Sequence, residues 1–180
     1  MIATVFDTET TGLIENHTLR LEKQPEIVEF AAISVDWEDL EREELARWDT
    51  LIRREGEWYA DENKRPPISE SDLANAPRFR DVADKIARIL EGSDVIVGQN
   101  LSYDIEIVDL CFDRLKRRIK WPAVKICTIE QTMFYAGKRL PLGELHLRLT
   151  GKEHKDAHRA MADTAATLEV LREMRRREWV

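Results

Sequence analysis

The chain has 180 residues, of which 43% are hydrophobic and 35% are charged, and its formal net charge is −7. This length and composition predict a single globular domain over residues 1–180, with enough apolar residues for a substantial core. The negative charge argues against a protein that holds nucleic acid through a broad basic surface. No apolar run approaches the length of a membrane span and a signal-peptide pattern is absent, so we expect a cytoplasmic location.

The first half of the chain is rich in predicted strands. Residues 1–5 form a β-branched run that predicts a strand. An acidic connection over 37–44 separates two further strand-like segments, which we expect to pair as a hairpin. Those segments are residues 26–36 and 45–53. Residues 14–25 predict a loop near the mouth of a site, and residues 55–77 predict irregular structure with a short helix at 69–74.

The second half of the chain alternates helices with strands. Apolar residues recur at helical spacing in residues 78–91, and Gly92 then marks the end of an amphipathic helix. The remaining predicted elements are strands at 95–97 and 124–128, and helices at 102–117, 129–136, 142–149 and 157–177. Three strands followed by alternating strands and helices predict an α/β fold with a mixed sheet flanked by helices.

Two carboxylates close the first predicted strand. Side chains in a strand alternate between the faces of a sheet, so we expect Asp7 and Glu9 to share one face, opposite Phe6 and Thr8. Adjacent carboxylates repel each other unless a cation lies between them. Mg²⁺ prefers oxygen ligands, usually a few carboxylates with waters and substrate phosphates. The pair therefore suggests a metal site for phosphate chemistry, although a strand that simply ends in acidic turn residues has the same pattern.

Two later segments add to this pair. Asp104 follows an apolar strand at the start of a predicted helix, and His158 precedes Asp163 on the last predicted helix, with four residues between them. The three segments, in this order and spacing, resemble the motifs of the DEDDh, or DnaQ-like, 3′→5′ exonuclease family over residues 2–172. The resemblance implies the ribonuclease H-like fold, which agrees with the predicted order of strands and helices.

The resemblance also implies a catalytic centre with two Mg²⁺ or Mn²⁺ ions. Four carboxylates would hold these ions: Asp7, Glu9, Asp104 and Asp163. One ion would activate the attacking water and the other would stabilise the leaving 3′ oxygen. His158 would take the proton from the water, because an imidazole can accept a proton near neutral pH. The other histidines lack this spacing and receive no role; they are His17, His146 and His154.

Further residues are implied to contact the terminal nucleotide of a substrate. They are Thr10, Thr11, Gly12, Leu13, Asn100 and Tyr103. Gly12 would permit a positive φ and a close approach of the backbone in a tight turn. Leu13 has a second interpretation as an ordinary core residue. The family often has Phe where this chain has Tyr103, which leaves the details of nucleotide contact open.

The resemblance thus implies an exonuclease that releases nucleoside 5′-monophosphates from the 3′ ends of single-stranded nucleic acid. DNA is favoured, and an exoribonuclease of the same family is the alternative, because discrimination depends on contacts to the 2′ position. A separate DNA polymerase is a candidate partner for a proofreading enzyme. No membrane partner is expected.

Two other classes of protein share parts of this pattern. A phosphatase with a nucleophilic strand-end aspartate usually has Asp-x-Asp, and here Glu9 occupies the second position. A polymerase-binding scaffold that keeps the fold without the chemistry has no reason to retain the complete set of catalytic residues. The basic run over residues 114–120 has two open interpretations, as a guide for a strand or as a solvated surface.

Overall fold

The computed structural model of the protein describes residues 1–14, 20–56 and 68–180. Within these ranges the strands are β1 (Ile2–Thr10), β2 (Ile27–Asp36), β3 (Ala46–Leu51), β4 (Val95–Gly98) and β5 (Val124–Cys127). The α-helices are α1 (Glu70–Leu73), α2 (Phe79–Glu91), α3 (Leu101–Arg114), α4 (Thr128–Ala136), α5 (Leu142–Thr150) and α6 (Ala160–Arg176), and a short 3₁₀ helix spans Leu21–Lys23.

The sheet is mixed, as the sequence predicts. Its strand order is β3–β2–β1–β4–β5. The hairpin partners β2 and β3 are antiparallel, and so are β1 and β2. β4 runs parallel to both β1 and β5. α1 and α2 lie between β3 and β4 in the chain, and α3 connects β4 to the parallel strand β5. The predicted α/β architecture of a mixed sheet flanked by helices is therefore confirmed.

Each face of the sheet has its own hydrophobic core. Side chains alternate along β1, so Phe6 packs toward α2 and α3, whereas its neighbour Val5 packs toward α5 and α6. On the first face, the ring of Phe6 stacks on that of Phe30 with centroids 6.0 Å apart. Burying a large apolar side chain contributes about 1.5–3 kcal/mol. The two cores therefore hold the helices against a rigid sheet.

β1 is longer than its parallel neighbour β4, and this difference makes room for a site. Val5 pairs with Val97, after which β4 ends at Gly98 while β1 continues to Thr10. α3 begins three residues after Gly98, and its first turn lies beside the end of β1. A Cβ at Gly98 would lie 3.0 Å from Leu101 Cδ1 and 3.4 Å from the Phe6 carbonyl oxygen. The absence of a side chain there lets α3 start close to β1.

The last helix differs from its prediction. α6 begins at Ala160 rather than near residue 157. Asp156 and His158 have positive φ angles of 57° and 69°, in the left-handed region that an α-helix excludes. His158 therefore lies in the loop before α6. The predicted placement of His158 on the helix, one and a half turns before Asp163, is wrong.

β1 continues to Thr10, five residues beyond the run that predicts it, and the other predicted helices and strands lie within three residues of their observed bounds. His17 and the middle parts of the predicted loops at 14–25 and 55–77 lie outside the described residues. In the part of the chain that the structure describes, none of the helices has the length and apolar character that crossing a membrane requires.

Part of the basic run at 114–120 has structural contacts. The guanidinium of Arg114 donates to the carbonyl oxygens of Leu21 and Gln24, at 2.9 and 2.7 Å, and so fastens α3 to the segment before β2. Arg117 forms an ion pair with Asp84 at 2.7 Å. Arg114 is thus fixed within the fold, whereas Arg117 lies at the solvated surface beside Asp84.

Candidate active site

Four carboxylates from three elements converge at the end of β1. Asp7 and Glu9 lie on the face that α6 covers, as the alternation along β1 predicts. Asp163 reaches them from the first turn of α6, and Asp104 reaches them from the first turn of α3. Burial raises the pKa of Asp7 well above its ordinary value, and repulsion from Asp104, Asp163 and Glu9 raises it further.

Thr8 fixes Asp104 at this meeting point. Thr8 points to the face opposite Asp7 and Glu9, where α3 packs. Its hydroxyl donates to Asp104 Oδ1 at 2.7 Å, and its backbone N–H donates to the same oxygen at 3.1 Å. Asp104 is buried, and burial raises the pKa of its carboxyl to about 7 even though the bonds from Thr8 lower it. The alternation of β1 thus places two carboxylates on one face and the donor for a third on the other.

The electrostatics of Glu9 indicate that the site favours bound positive charge. Burial, followed by repulsion from Asp163 and Glu29, raises the pKa of Glu9 to about 8. A cluster with such shifts holds protons near neutral pH unless positive charge replaces them. Its donors are carboxylate oxygens, which suit Mg²⁺ and Mn²⁺. The residues present therefore fit a divalent metal centre.

His158 lies beside the same carboxylates although it is outside the helix. Ligand atoms of Glu9, His158 and Asp163 all lie within 4.8 Å of one another, so these three residues could hold a metal ion. The backbone N–H of His158 donates to Asp163 Oδ2 at 3.2 Å. The residue itself is exposed to solvent. This arrangement leaves the imidazole accessible to a substrate or a water molecule.

Glu29 is a fifth acidic residue that the sequence interpretation missed. It lies on β2 directly opposite Glu9 and is only 1% exposed. Arg159 and the backbone N–H of Ala160 both donate to its carboxylate. The sequence did contain a signal for Glu29, because a charged residue within a continuous apolar strand is costly unless it has a partner. Glu29 ties the start of α6 to the sheet.

His154 is a second missed residue. Its spacing to Asp163 gave it no role, yet its side chain is 6% exposed and its Nε2 is hydrogen-bonded to Asp163 Oδ1. Motif spacing could not predict this contact, because the loop before α6 is irregular and has no periodic pattern of residues. His146 lies behind it, with ring centroids 6.0 Å apart.

The turn after β1 is held firmly by its neighbours. The hydroxyls of Thr10 and Tyr103 lie 2.8 and 2.7 Å from the carbonyl oxygen of Gly12 and donate to it. The backbone N–H of Thr11 donates to the carbonyl oxygen of Glu26 at 2.9 Å. Burial raises the pKa of Tyr103 to about 12, which keeps its hydroxyl a donor. Tyr103 therefore braces the turn with a hydroxyl that Phe could not provide.

Two expectations about this turn are resolved by the structure. Gly12 does not have a positive φ, so that prediction is wrong, and a Cβ there would meet no heavy atom within 4 Å. Nothing in the fold of the described residues thus requires glycine at this position. Leu13 is 53% exposed, which excludes the interpretation as a core residue.

Asn100 begins α3 in a left-handed conformation, with φ of 62°. Its side chain makes no capping hydrogen bond to the helix. Instead, its Oδ1 accepts a bond of 2.6 Å from the guanidinium of Arg139. Arg139 follows α4 and is exposed. A cationic side chain thus lies beside the residue that begins α3, four positions before Asp104.

Comparison with known proteins agrees with this geometry. A family model described as an exonuclease, RNase T, matches residues 4–171. The chain belongs to this exonuclease family. The DnaQ-like 3′→5′ exonuclease class and the enzymatic nature predicted from the sequence are therefore confirmed. Members of the RNase T exonuclease family depend on divalent metal ions.

Individual relatives lie at low sequence identity. DNA polymerase III subunit epsilon of Treponema pallidum is 28% identical over 174 residues, which cover 95% of this chain and 75% of that protein. Exonuclease X, solved in complex with 5′ overhanging duplex DNA, has a TM-score of 0.66 at 22% identity and covers 99% of this chain and 94% of its own.

A zinc-bound complex of Escherichia coli exonuclease I with single-stranded DNA has a TM-score of 0.78 at 18% identity. The match covers 98% of this chain but only 41% of exonuclease I. At these identities the solved structures establish a shared fold, and the ribonuclease H-like fold predicted for this member of the family is confirmed.

Proposed function

We propose that the protein is a metal-dependent exonuclease that removes nucleoside 5′-monophosphates, one at a time, from the 3′ end of single-stranded DNA. One observation carries the proposal. Carboxylates from β1, α3 and α6 meet at one edge of the sheet, with a solvent-accessible imidazole beside them. The pKa values of Asp7, Glu9 and Asp104 are strongly raised there. Such a cluster is favourable when cations and a phosphate bind there.

Four residues would hold two Mg²⁺ or Mn²⁺ ions: Asp7, Glu9, Asp104 and Asp163. When bound, two such ions supply positive charge to the scissile phosphate and to the leaving oxygen. Asp104 is already oriented for this role by two hydrogen bonds from Thr8. Asp163 is oriented by the loop that precedes α6. The chain thus contributes ligands that are positioned before any ion arrives.

His158 would act as the general base. Its imidazole lies within reach of the carboxylates of Glu9 and Asp163 and is open to solvent. Its backbone is fixed by the bond from its N–H to Asp163 Oδ2. A positioned imidazole that accepts the proton of an attacking water accelerates a reaction by about 10²–10⁴-fold.

The turn after β1 would receive the terminal nucleotide. Leu13 offers an exposed apolar side chain four residues after Glu9, suited to packing against a base. Gly12 leaves open space above its Cα, so a sugar or phosphate can approach the backbone closely. Thr10 and Tyr103 hold the turn in place from below, and Thr11 fastens it to the start of β2. Asn100 would contact the strand beside Asp104.

DNA is the favoured substrate because the polymerase subunit and the two exonucleases described above are named for, or bound to, DNA. Relatedness to a subunit of a DNA polymerase also supports a proofreading role beside a separate polymerase. An exoribonuclease remains the alternative, since both activities use the same catalytic residues.

The test uses matched DNA and RNA oligonucleotides labelled at the 5′ end. With Mg²⁺ or Mn²⁺, we expect a ladder that shortens from the 3′ end, 5′-monophosphate products and no reaction with chelator. Circular single-stranded DNA should resist, and Asp7→Asn is the inactive control. Faster digestion of RNA would favour the exoribonuclease, whereas rapid cutting of the circle would show an endonuclease and refute the proposal.

A further inference from the structure

The loop between α5 and α6 buries one of its side chains. Residues 151–159 are exposed except for His154, whose side chain is 6% exposed. A polar ring is buried at a cost unless it finds a partner. His154 finds it in Asp163, since its Nε2 is hydrogen-bonded to Asp163 Oδ1. An ionised carboxylate can only accept, so the imidazole N–H is the donor.

The two oxygens of Asp163 are held from different sides. His154 binds Oδ1 through its ring, and the backbone N–H of His158 donates to Oδ2 at 3.2 Å. Two donors on the two oxygens fix the rotation of the carboxylate about its side-chain bonds. The remaining lone pairs are then available to the ion that this carboxylate and Glu9 would share.

A second histidine restricts the ring that makes this contact. The ring of His146 on α5 lies 6.0 Å from that of His154, centroid to centroid. His146 is itself anchored, because its Nδ1 lies 3.0 Å from the carbonyl oxygen of Lys152 and its Nε2 lies 3.4 Å from Glu169. His154 is therefore packed between a fixed ring and the carboxylate that it holds.

Asp163 needs such a restraint. Its charge repels those of Asp7 and Glu9, which favours rotation of the side chain away from the cluster when the site is empty. The His154 ring, a fixed donor to Asp163 Oδ1, opposes that rotation. Partners of this kind commonly contribute a factor of about 10–100 to metal affinity or activity.

We infer that His154 is a positioning residue that holds Asp163 in the orientation required for metal binding, without touching substrate or metal itself. This inference rests on the proposed function. The role of His154 differs from that of His158, which is exposed to solvent and is the proposed general base.

The test compares two amide substitutions at this position. Gln places its side-chain N–H₂ near the position of the imidazole Nε2, whereas Asn is one methylene shorter. We therefore expect His154→Asn to weaken Mn²⁺ binding, measured by calorimetric titration, by about 10–100-fold. His154→Gln should restore most of the affinity. The kcat should follow Mn²⁺ affinity across the pair, while the KM for the oligonucleotide changes little.

A core variant controls for simple loss of stability. Leu149 is buried on α5 among the residues that pack against α6. Leu149→Ala should lower the melting temperature through a cavity yet leave Mn²⁺ affinity unchanged. Equal affinities for the wild type, His154→Asn and His154→Gln would overturn the inference and leave the proposed function intact. A wild-type protein that neither binds Mn²⁺ nor digests DNA would refute both.

Discussion

The guanidinium of Arg159 holds both carboxylate oxygens of Glu29, with Nη2 to Oε1 at 2.8 Å and Nε to Oε2 at 3.1 Å. The pair links the residue after His158 to the strand beside Glu9. Its bidentate geometry fixes both partners. The backbone N–H of Ala160 adds a third bond to Glu29 at 2.9 Å, so Glu29 also acts as the cap of α6.

This relationship predicts an asymmetry between two substitutions. Arg159→Ala leaves Glu29 buried without its cation and still opposite Glu9, so the free energy of unfolding should fall by about 1–3 kcal/mol. Glu29→Gln removes both the ion pair with Arg159 and the repulsion between Glu29 and Glu9, so it should lower the free energy of unfolding by less. Chemical denaturation with chelator measures both.

Arg176 serves as the control for this prediction. It pairs with Glu41 and Glu173 on the surface, and exposed ion pairs contribute little to stability. Arg176→Ala should therefore leave stability unchanged. If Glu29→Gln proves as damaging as Arg159→Ala, loss of the cap on α6, rather than the unpaired charge, dominates.

The sequence predicted those parts of the site that depend on regular structure. The alternation along β1 correctly placed Asp7 with Glu9, and the strand-to-helix transition correctly placed Asp104 near them. It could not predict the partners of these residues. The bond from Thr8 to Asp104 and the bonds from α6 to Glu29 depend on which helix covers which face of the sheet. A local sequence pattern does not contain that information.

The loop before α6 marks the limit of the sequence interpretation. Apolar residues recur at helical spacing from Ala157 onward, and that pattern predicts that His158 lies on the helix. Tertiary contacts override this pattern, because Glu29 accepts a hydrogen bond from the Ala160 N–H and fixes the helix start there. The left-handed backbone at His158 and the buried ring of His154 follow from that fold of the loop.

Stability of the metal-free protein should depend on pH in an unusual direction. The carboxyl of Glu9 has a pKa of about 8 in the folded protein against an ordinary 4.5, and that of Asp104 has about 7 against 3.8. Folding therefore retains protons that the unfolded chain releases. The contribution of these groups is fully present below the unfolded values and is lost as the pH rises through the folded ones.

Thermal unfolding with chelator at about pH 5, 6.5 and 8 checks this dependence. The melting temperature of the metal-free protein should fall from the lowest pH to the highest. Mn²⁺ should raise the melting temperature most at the highest pH, where fewer protons compete with the ion for the carboxylates. Asp7→Asn should flatten the decline, because it removes one source of repulsion. Identical pH profiles for wild type and Asp7→Asn would contradict the assigned electrostatics.

The role of His158 can be separated from that of a metal ligand. His158→Asn is the suitable variant, because Asn tolerates the left-handed backbone at this position. As a general base, His158 should account for a loss of kcat of about 10²–10⁴-fold, with Mn²⁺ affinity close to that of the wild type. Asp163→Asn is the comparison, and should weaken Mn²⁺ binding directly. Matching losses of affinity in the two variants would identify His158 as a ligand instead.

A protein with a net charge of −7 needs a local positive group to receive a nucleic acid strand. Arg114 is held by backbone carbonyls and Arg117 pairs with Asp84, so an exposed cation nearer the end of β4 is the better candidate. Arg139 is exposed and lies beside Asn100 at the active-site edge of the sheet. Its bond to Asn100 uses one of the five N–H donors of the guanidinium, so other donors can bind a phosphate. We expect it to contact a phosphate of the bound strand.

Arg139→Gln should therefore raise the KM for long oligonucleotides and reduce the log–log salt slope of binding by about 0.7, the value for one contact to a single strand. A dinucleotide, which reaches only the carboxylates and the turn at Gly12, should be affected less. Arg117→Gln is the matched control and should change neither quantity, because Arg117 already pairs with Asp84 at 2.7 Å. Binding and kinetics measured over a range of salt concentrations give both quantities. An unchanged slope for Arg139→Gln with a reduced slope for Arg117→Gln would place the strand over the basic run at 114–120 instead.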